Sequence, residues 1–225
     1  YIDGVKQGFE KVWHDNGQLN FRVKYIDGVR QGLQEIWYRD GQINSQIKFK
    51  NGIENGWKKV WHPNGQIHLQ VRFVNGVKQG LQKTWYENGQ LNSRINFVND
   101  QVDGLEEIWY KDGQQVYKCH FSNGVKEGLE EKWYENGQIA YRANYLNGVK
   151  KGLEEKWRSD GHLVSKKVFE NDRIVGVEHE EEESDEGEES EDEEENEEED
   201  ENEGEPDEEG EMDGVDDYGD FEDEE

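Results

Sequence analysis

Six histidines and one cysteine are the side chains here with the chemistry for metal binding or nucleophilic catalysis. Two imidazoles at i and i+2 of a strand would aim at one metal. A thiol or hydroxyl within reach of an imidazole would make an activated nucleophile. No two histidines share that spacing, and no nucleophile–base pair emerges. Each is instead a variant at a recurring position. His14 and His62 stand where Tyr38, Tyr86, Tyr110 and Tyr134 stand. His68 replaces an asparagine (Asn20, Asn44), and His120 takes the place of Lys24, Lys48 and Arg72. His162 replaces a turn glutamine. Cys119 sits where Val23, Ile47 and Ile95 sit, which reads as a small buried apolar residue rather than a reactive thiol. These residues predict no catalytic site, no metal site and no cofactor.

The recurring positions define a 24-residue unit, present seven times between Gly4 and Phe169. Trp13, Trp37, Trp61, Trp85, Trp109, Trp133 and Trp157 are in phase. So are Gly17, Gly41, Gly65, Gly89, Gly113, Gly137 and Gly161, each preceded by Asn or Asp. A fixed period of this length means a stacked array, in which each unit buries its face only against its neighbours. Within a unit the pattern is strand, turn, strand, turn, as in Gly32–Tyr38, then Asp40-Gly41, then Gln42–Phe49, then Asn51-Gly52. Asn-Gly and Asp-Gly between such runs are hairpin signals. The fold class is therefore all-β: an elongated, single-layer antiparallel meander.

Two turn types fit Asn64-Gly65. A two-residue loop places Trp61 opposite His68, and a three-residue type I loop with a glycine bulge places it opposite Ile67. Pro63 selects the second, because a type I turn wants φ near −65° at that position. In this register Phe9 and Trp13 share an apolar face with Leu19, Phe21, Val23 and Tyr25. The other face carries Glu10, His14, Asn20, Arg22 and Lys24, with Lys11 and Val12 as exceptions. The tryptophans then read as core, with a stacking platform for nucleic acid or sugar as the competing reading. Lys6, Arg30, Lys78, Lys126 and Lys150 line part of one edge, a row interrupted by Glu54 and Val102; weak contact with anionic lipid is the functional reading of that row. Asp100 tolerates positive φ, so its turn survives, whereas Asn171-Asp172-Arg173 reads as the cap of the array.

The formal charge of −29 hides two segments. Residues 178–225 hold 33 of the 55 acids and none of the 26 bases, which leaves residues 1–177 near neutral at +4. The first segment is the repeat array; the second is too charged and too poor in apolar groups to offset its ordering entropy, and is expected to be a disordered tail. One cysteine excludes a disulfide framework, and no stretch has transmembrane length, so an intracellular setting, cytoplasm or nucleus, is expected. The chain opens at Tyr1-Ile2-Asp3-Gly4, matching Tyr25-Ile26-Asp27-Gly28, and so reads as a fragment cut inside an earlier repeat, with any targeting signal outside it.

The unit running from Asn75-Gly76-Val77-Lys78-Gln79-Gly80 through Trp85-Tyr86-Glu87-Asn88-Gly89-Gln90-Leu91 to Phe97 resembles the MORN-repeat variant, the branch found in bacterial proteins described as antitoxins and in giant viruses. The resemblance covers residues 1–177. It implies an extended antiparallel sheet used as a scaffold or interaction surface.

The end of the tail differs from its middle. Met212, Val215, Tyr218 and Phe221 recur at intervals of three among acids that include Asp216, Asp217, Asp220 and Glu222. This resembles the acidic-aromatic motifs of histone-binding tails, in which a ring docks and carboxylates collect Lys and Arg. A non-enzymatic scaffold is expected, engaging basic, histone-like protein partners through Tyr218, Phe221 and the acids beside them. The alternative is an inhibitor that mimics nucleic acid and neutralises a basic toxin or nuclease. Direct nucleic-acid binding is not expected, since neither half of the array (residues 1–96 at +6, residues 97–177 at −2) is basic enough and the tail would compete with DNA for its edge. Residues 180–225 are expected to give narrow amide dispersion in NMR, and dispersed strand or helix shifts there would contradict the reading.

Overall fold

A computed structural model describes residues 1–181. They form one open antiparallel sheet of sixteen strands, paired in chain order. The strands are β1 (Gly8–Trp13), β2 (Leu19–Ile26), β3 (Val29–Trp37), β4 (Ile43–Lys50), β5 (Ile53–Trp61), β6 (Ile67–Val74), β7 (Val77–Lys78) and β8 (Gly80–Trp85). They continue with β9 (Leu91–Val98), β10 (Gln101–Trp109), β11 (Gln115–Ser122), β12 (Val125–Trp133), β13 (Ile139–Leu146), β14 (Val149–Trp157), β15 (Leu163–Glu170) and β16 (Arg173–Glu180). The short β7 pairs only with β6, beside β8. The fold is the all-β single-layer meander that the repeat implies.

Both turns of each unit follow from their residues. At Pro63-Asn64-Gly65 the Gly65 amide donates to the His62 carbonyl at 2.9 Å, and the His62 amide donates to Gln66 O at 2.8 Å. Gly65 has φ of 82°, the left-handed value that a type I turn closed by a glycine bulge requires. Trp61 faces Ile67, as Pro63 predicts. The connecting turns are tighter. Asn51 and Gly52 both have positive φ, 53° and 77°, the signature of a type I′ turn whose twist matches the flanking strands. Asp100 keeps that turn at φ 67°. Asn171-Asp172 keeps it too, at 51° and 62°, so the position expected to cap the array instead leads into one more strand, β16. The sheet therefore runs past residue 177 to Glu180.

The expected division of faces is wrong, and the cause is one residue. Trp13 faces Leu19, but the next pair is Val12↔Phe21, so Asn20 has no partner. This second bulge slips everything beyond it by one: Lys11 faces Arg22, Glu10 faces Val23 and Phe9 faces Lys24. The slip recurs as Ile36↔Ser45, Val60↔Leu69, Thr84↔Ser93, Ile108↔Tyr117, Lys132↔Tyr141 and Lys156↔Ser165. Val12 therefore joins Phe21, Val23 and Tyr25. Phe9 lies with Lys11, Arg22 and Lys24. The two exceptions in the expected pattern, Lys11 and Val12, both fall on their natural side once the bulge is present.

The face holding Val23 is the core. Val23 and Cys119 are 0% exposed, Ala143 1% and Val71 2%. Among the described residues no second layer covers them, so they are shielded by their own ladder neighbours, chiefly the ring position (Tyr25, Phe49, Phe97) next along each strand. The positions of Phe9, Leu33, Trp57, Leu81, Leu129 and Leu153, expected in the core, are exposed on the opposite face. The face assignment is tested by truncation. Val71→Ala should cost about 2 kcal/mol in urea unfolding, while Leu81→Ala, which removes more atoms, should cost about 0.5 kcal/mol. The reverse order would restore the original faces.

Candidate interaction surface

The core face is not uniformly apolar. Its recurring features are a cation, a hydrogen-bonding partner four residues on, and an aromatic ring on the next strand. Lys6 Nζ lies 2.7 Å from Glu10 Oε1 and 4.9 Å from the Tyr25 ring centre. Lys126 lies 2.5 Å from Glu130 and 4.9 Å from the Tyr145 ring, and Lys150 pairs with Glu154 with the Phe169 ring at 5.0 Å. Lys78 donates to Gln82 at 3.1 Å and sits 4.7 Å from the Phe97 ring. One unit reverses the charges: Glu54 precedes Lys58, 4.0 Å away, and Lys58 supplies the cation over Phe73. The lysine row expected to form a free charged edge is thus turned onto the core face and engaged within the chain. These ammonium groups stay partly in water, so the ring contacts supplement the ion pairs rather than replace them.

Burial governs the carboxylates. Glu130 is 1% exposed and has a second lysine, Lys132, at 3.8 Å. Burial pushes the Glu154 carboxyl up, but its hydrogen bond from Lys150 and the charges of Lys150 and Lys156 outweigh this and hold it below its usual range. Burial also pushes the Cys119 thiol up, consistent with an inert core residue at the Val23 position.

The opposite face repeats a different device. Arg22 pairs with Glu35, Arg94 with Glu107, and Arg142 with Glu131 at 3.0 Å. The same guanidiniums stack on Trp37 at 5.5 Å, Trp109 at 5.8 Å and Trp157 at 5.9 Å. These rings therefore serve as arginine-backed platforms on the polar face and not as core, which corrects the expectation; Trp13, at the start of the sheet, is exposed.

At the turn edge, units are stitched together. The hydroxyls of Tyr38, Tyr86, Tyr110 and Tyr134 donate to the carbonyls of Trp61, Trp109, Trp133 and Trp157 at 2.6–3.0 Å. His14 and His62 place Nε2 3.0 and 2.9 Å from Trp37 O and Trp85 O, the same role with an imidazole. Sequence reasoning missed one pair: His68 Nδ1 lies 3.2 Å from His62 Nε2. The signal was the hairpin itself, which brings residues six apart together across the loop. Among the described residues no cluster of three or more His, Cys, Asp or Glu could hold a metal.

An open groove of about 680 Å³ runs along units five and six, lined by Glu106, Ile108, Tyr117, Lys126, Glu130 and Trp133 among others. The residues expected to bind partners, Asp216, Asp217, Tyr218, Asp220, Phe221 and Glu222, lie outside the described residues, as does the expected tail order beyond 181. The first acids of that segment are placed: Glu178 is 3.0 Å from Lys166, and Glu180 pairs with Lys167.

A family model described as MORN repeat variant matches residues 30–51, 78–99 and 126–147. No curated protein matches the chain. No catalytic family is indicated.

The Glu154 pair sets a pH dependence. A carboxyl held below its usual value of 4.5 in the fold contributes stability that is present above that value and lost as pH falls through the folded value. Melting temperature followed from neutral pH into this acid range should therefore fall more steeply for the parent chain than for Glu154→Gln. Parallel curves would show that the pair contributes nothing.

Proposed function

We propose that the chain is a non-enzymatic scaffold whose sheet presents an extended surface and whose acidic C-terminal segment engages basic protein partners. It carries MORN-variant repeats at three matched positions, and repeat modules of this kind generally mediate binding. The observation that carries this reading is the distribution of charge. Of the 26 lysines and arginines, all in the sheet, 15 pair with its own carboxylates or rings, whereas residues 182–225 add acids with no Lys or Arg to neutralise them. An uncompensated run of one sign attracts partners of the other over a Debye length and raises their association rate. Tyr218 and Phe221 add groups whose burial against a partner is insensitive to salt.

Binding to purified core histones across a salt series tests the proposal, with the intact chain, a chain ending at Glu181 so that β16 is kept, and the Tyr218→Ala, Phe221→Ala double variant. The intact chain should bind and the shortened one should not. The double variant should lose affinity most visibly at high salt, where charge pairing is screened at ~3 Å near 1 M. Equal binding by the shortened chain would remove the tail from the mechanism. Capture of a single stoichiometric nuclease on co-purification would favour the inhibitor reading instead.

A further inference from the structure

The core-face row has one unit in which an acid lacks its cation. Reading the cation position and the position four residues on, the pairs are Lys6/Glu10, Arg30/Gln34, Glu54/Lys58, Lys78/Gln82, Val102/Glu106, Lys126/Glu130 and Lys150/Glu154. Glutamine stands in two units, and the reversed Glu54/Lys58 pair keeps its charges matched. Only Val102/Glu106 leaves a carboxylate with no ion pair among the described residues. Residues 182–225 contain no Lys or Arg that could supply one. The ring of that unit, Phe121, likewise lacks the cation that sits over Tyr25, Phe97, Tyr145 and Phe169 in the other units. Lys126, the nearest candidate, is engaged with Glu130 at 2.5 Å.

Glu106 is half-buried and opens onto the 680 Å³ groove. Desolvation pushes its carboxyl up, opposed by the charge of Lys126. A carboxylate kept partly from water without a counter-ion is a cost that an arriving cation would relieve.

We propose that Glu106 and Phe121 form a docking site for a lysine side chain of a basic protein partner, which would occupy the place that Lys6, Lys126 and Lys150 fill in their own units. The site rests on the reading of this chain as a binder of basic proteins and places one contact on the sheet. Lysine is the fitting residue because all three intact Lys/Glu units use it, with ammonium-to-ring distances of 4.9, 4.9 and 5.0 Å. The groove beside Glu106 gives room for the partner's backbone. The acidic tail supplies long-range attraction, and the Glu106 site supplies a fixed point of register.

The test uses the full chain and the peptide acetyl-Gly-Gly-Lys-Gly-Gly-amide, with norleucine in place of lysine as the control. The readout is the ring resonance of Tyr117, which lies on the core face and lines the groove with Glu106, so binding elsewhere on the acidic tail is not counted. The lysine peptide should shift this resonance and the norleucine peptide should not. Val102→Lys restores the row's own cation and should weaken the effect at least about tenfold while melting no lower than the parent chain. Glu106→Gln, which keeps the shape, should weaken it likewise. Unchanged binding by either variant, or an equal shift with norleucine, overturns the site. Loss of histone binding on removing the tail bears on the proposed function alone, and the Tyr117 shift bears on Glu106 alone, so the two can fail separately.

Discussion

A single unpaired residue per unit decides which side of this sheet becomes core. The bulge between the Val12↔Phe21 and Trp13↔Leu19 pairs shifts the register by one, and because strand side chains alternate, that shift exchanges the faces. It moves the branched residue before Trp13, Trp37, Trp61, Trp85 and Trp109 onto the core face, where Lys132 and Lys156 stand in the last two units, and turns Phe9, Leu33 and their equivalents outward. Repeated at every hairpin, it also fixes the Glu10 and Lys6 positions on the core side, where the cation row forms. The arginine-backed tryptophans on the other side depend on the same choice.

A single layer must bury its apolar residues against themselves. The chain does this by placing small and branched side chains (Val23, Val71, Cys119, Ala143) at the centre of the face and rings beside them, then covering the rings with ammonium and guanidinium groups. Carboxylates held beside those cations keep the charge balanced in a partly desolvated row. The arrangement tolerates sequence drift as long as the balance is kept, as the Glu54/Lys58 reversal illustrates. It also makes an imbalance informative, which is why a valine at position 102 says more about function than any of the histidines.

Much of the architecture was legible in the residues. Period, strand count per unit, both turns and the Trp61↔Ile67 pair follow from glycine, asparagine and Pro63. The role of His14 and His62 was legible as well, since each stands in a tyrosine position. The faces were not, because a bulge inside a strand has no obligatory residue type; Asn20 and His68 occupy it in two units and Val116 and Ala140 in two others. Its trace was the pair of misfits, Lys11 and Val12. The candidate site was hidden for the same reason. Val102 looked like a gap in a solvent-facing edge until the register placed that edge over the rings.

The register is accessible to one direct measurement. In a uniformly 15N- and 13C-labelled sample, interstrand nuclear Overhauser contacts should connect Val60 with Leu69 and Lys59 with Gln70, the pairs that follow the bulge. Contacts of Val60 with His68 and of Lys59 with Leu69 would mean that no bulge follows Trp61, returning Val60 to the polar face and removing the basis for both the cation row and the Glu106 site.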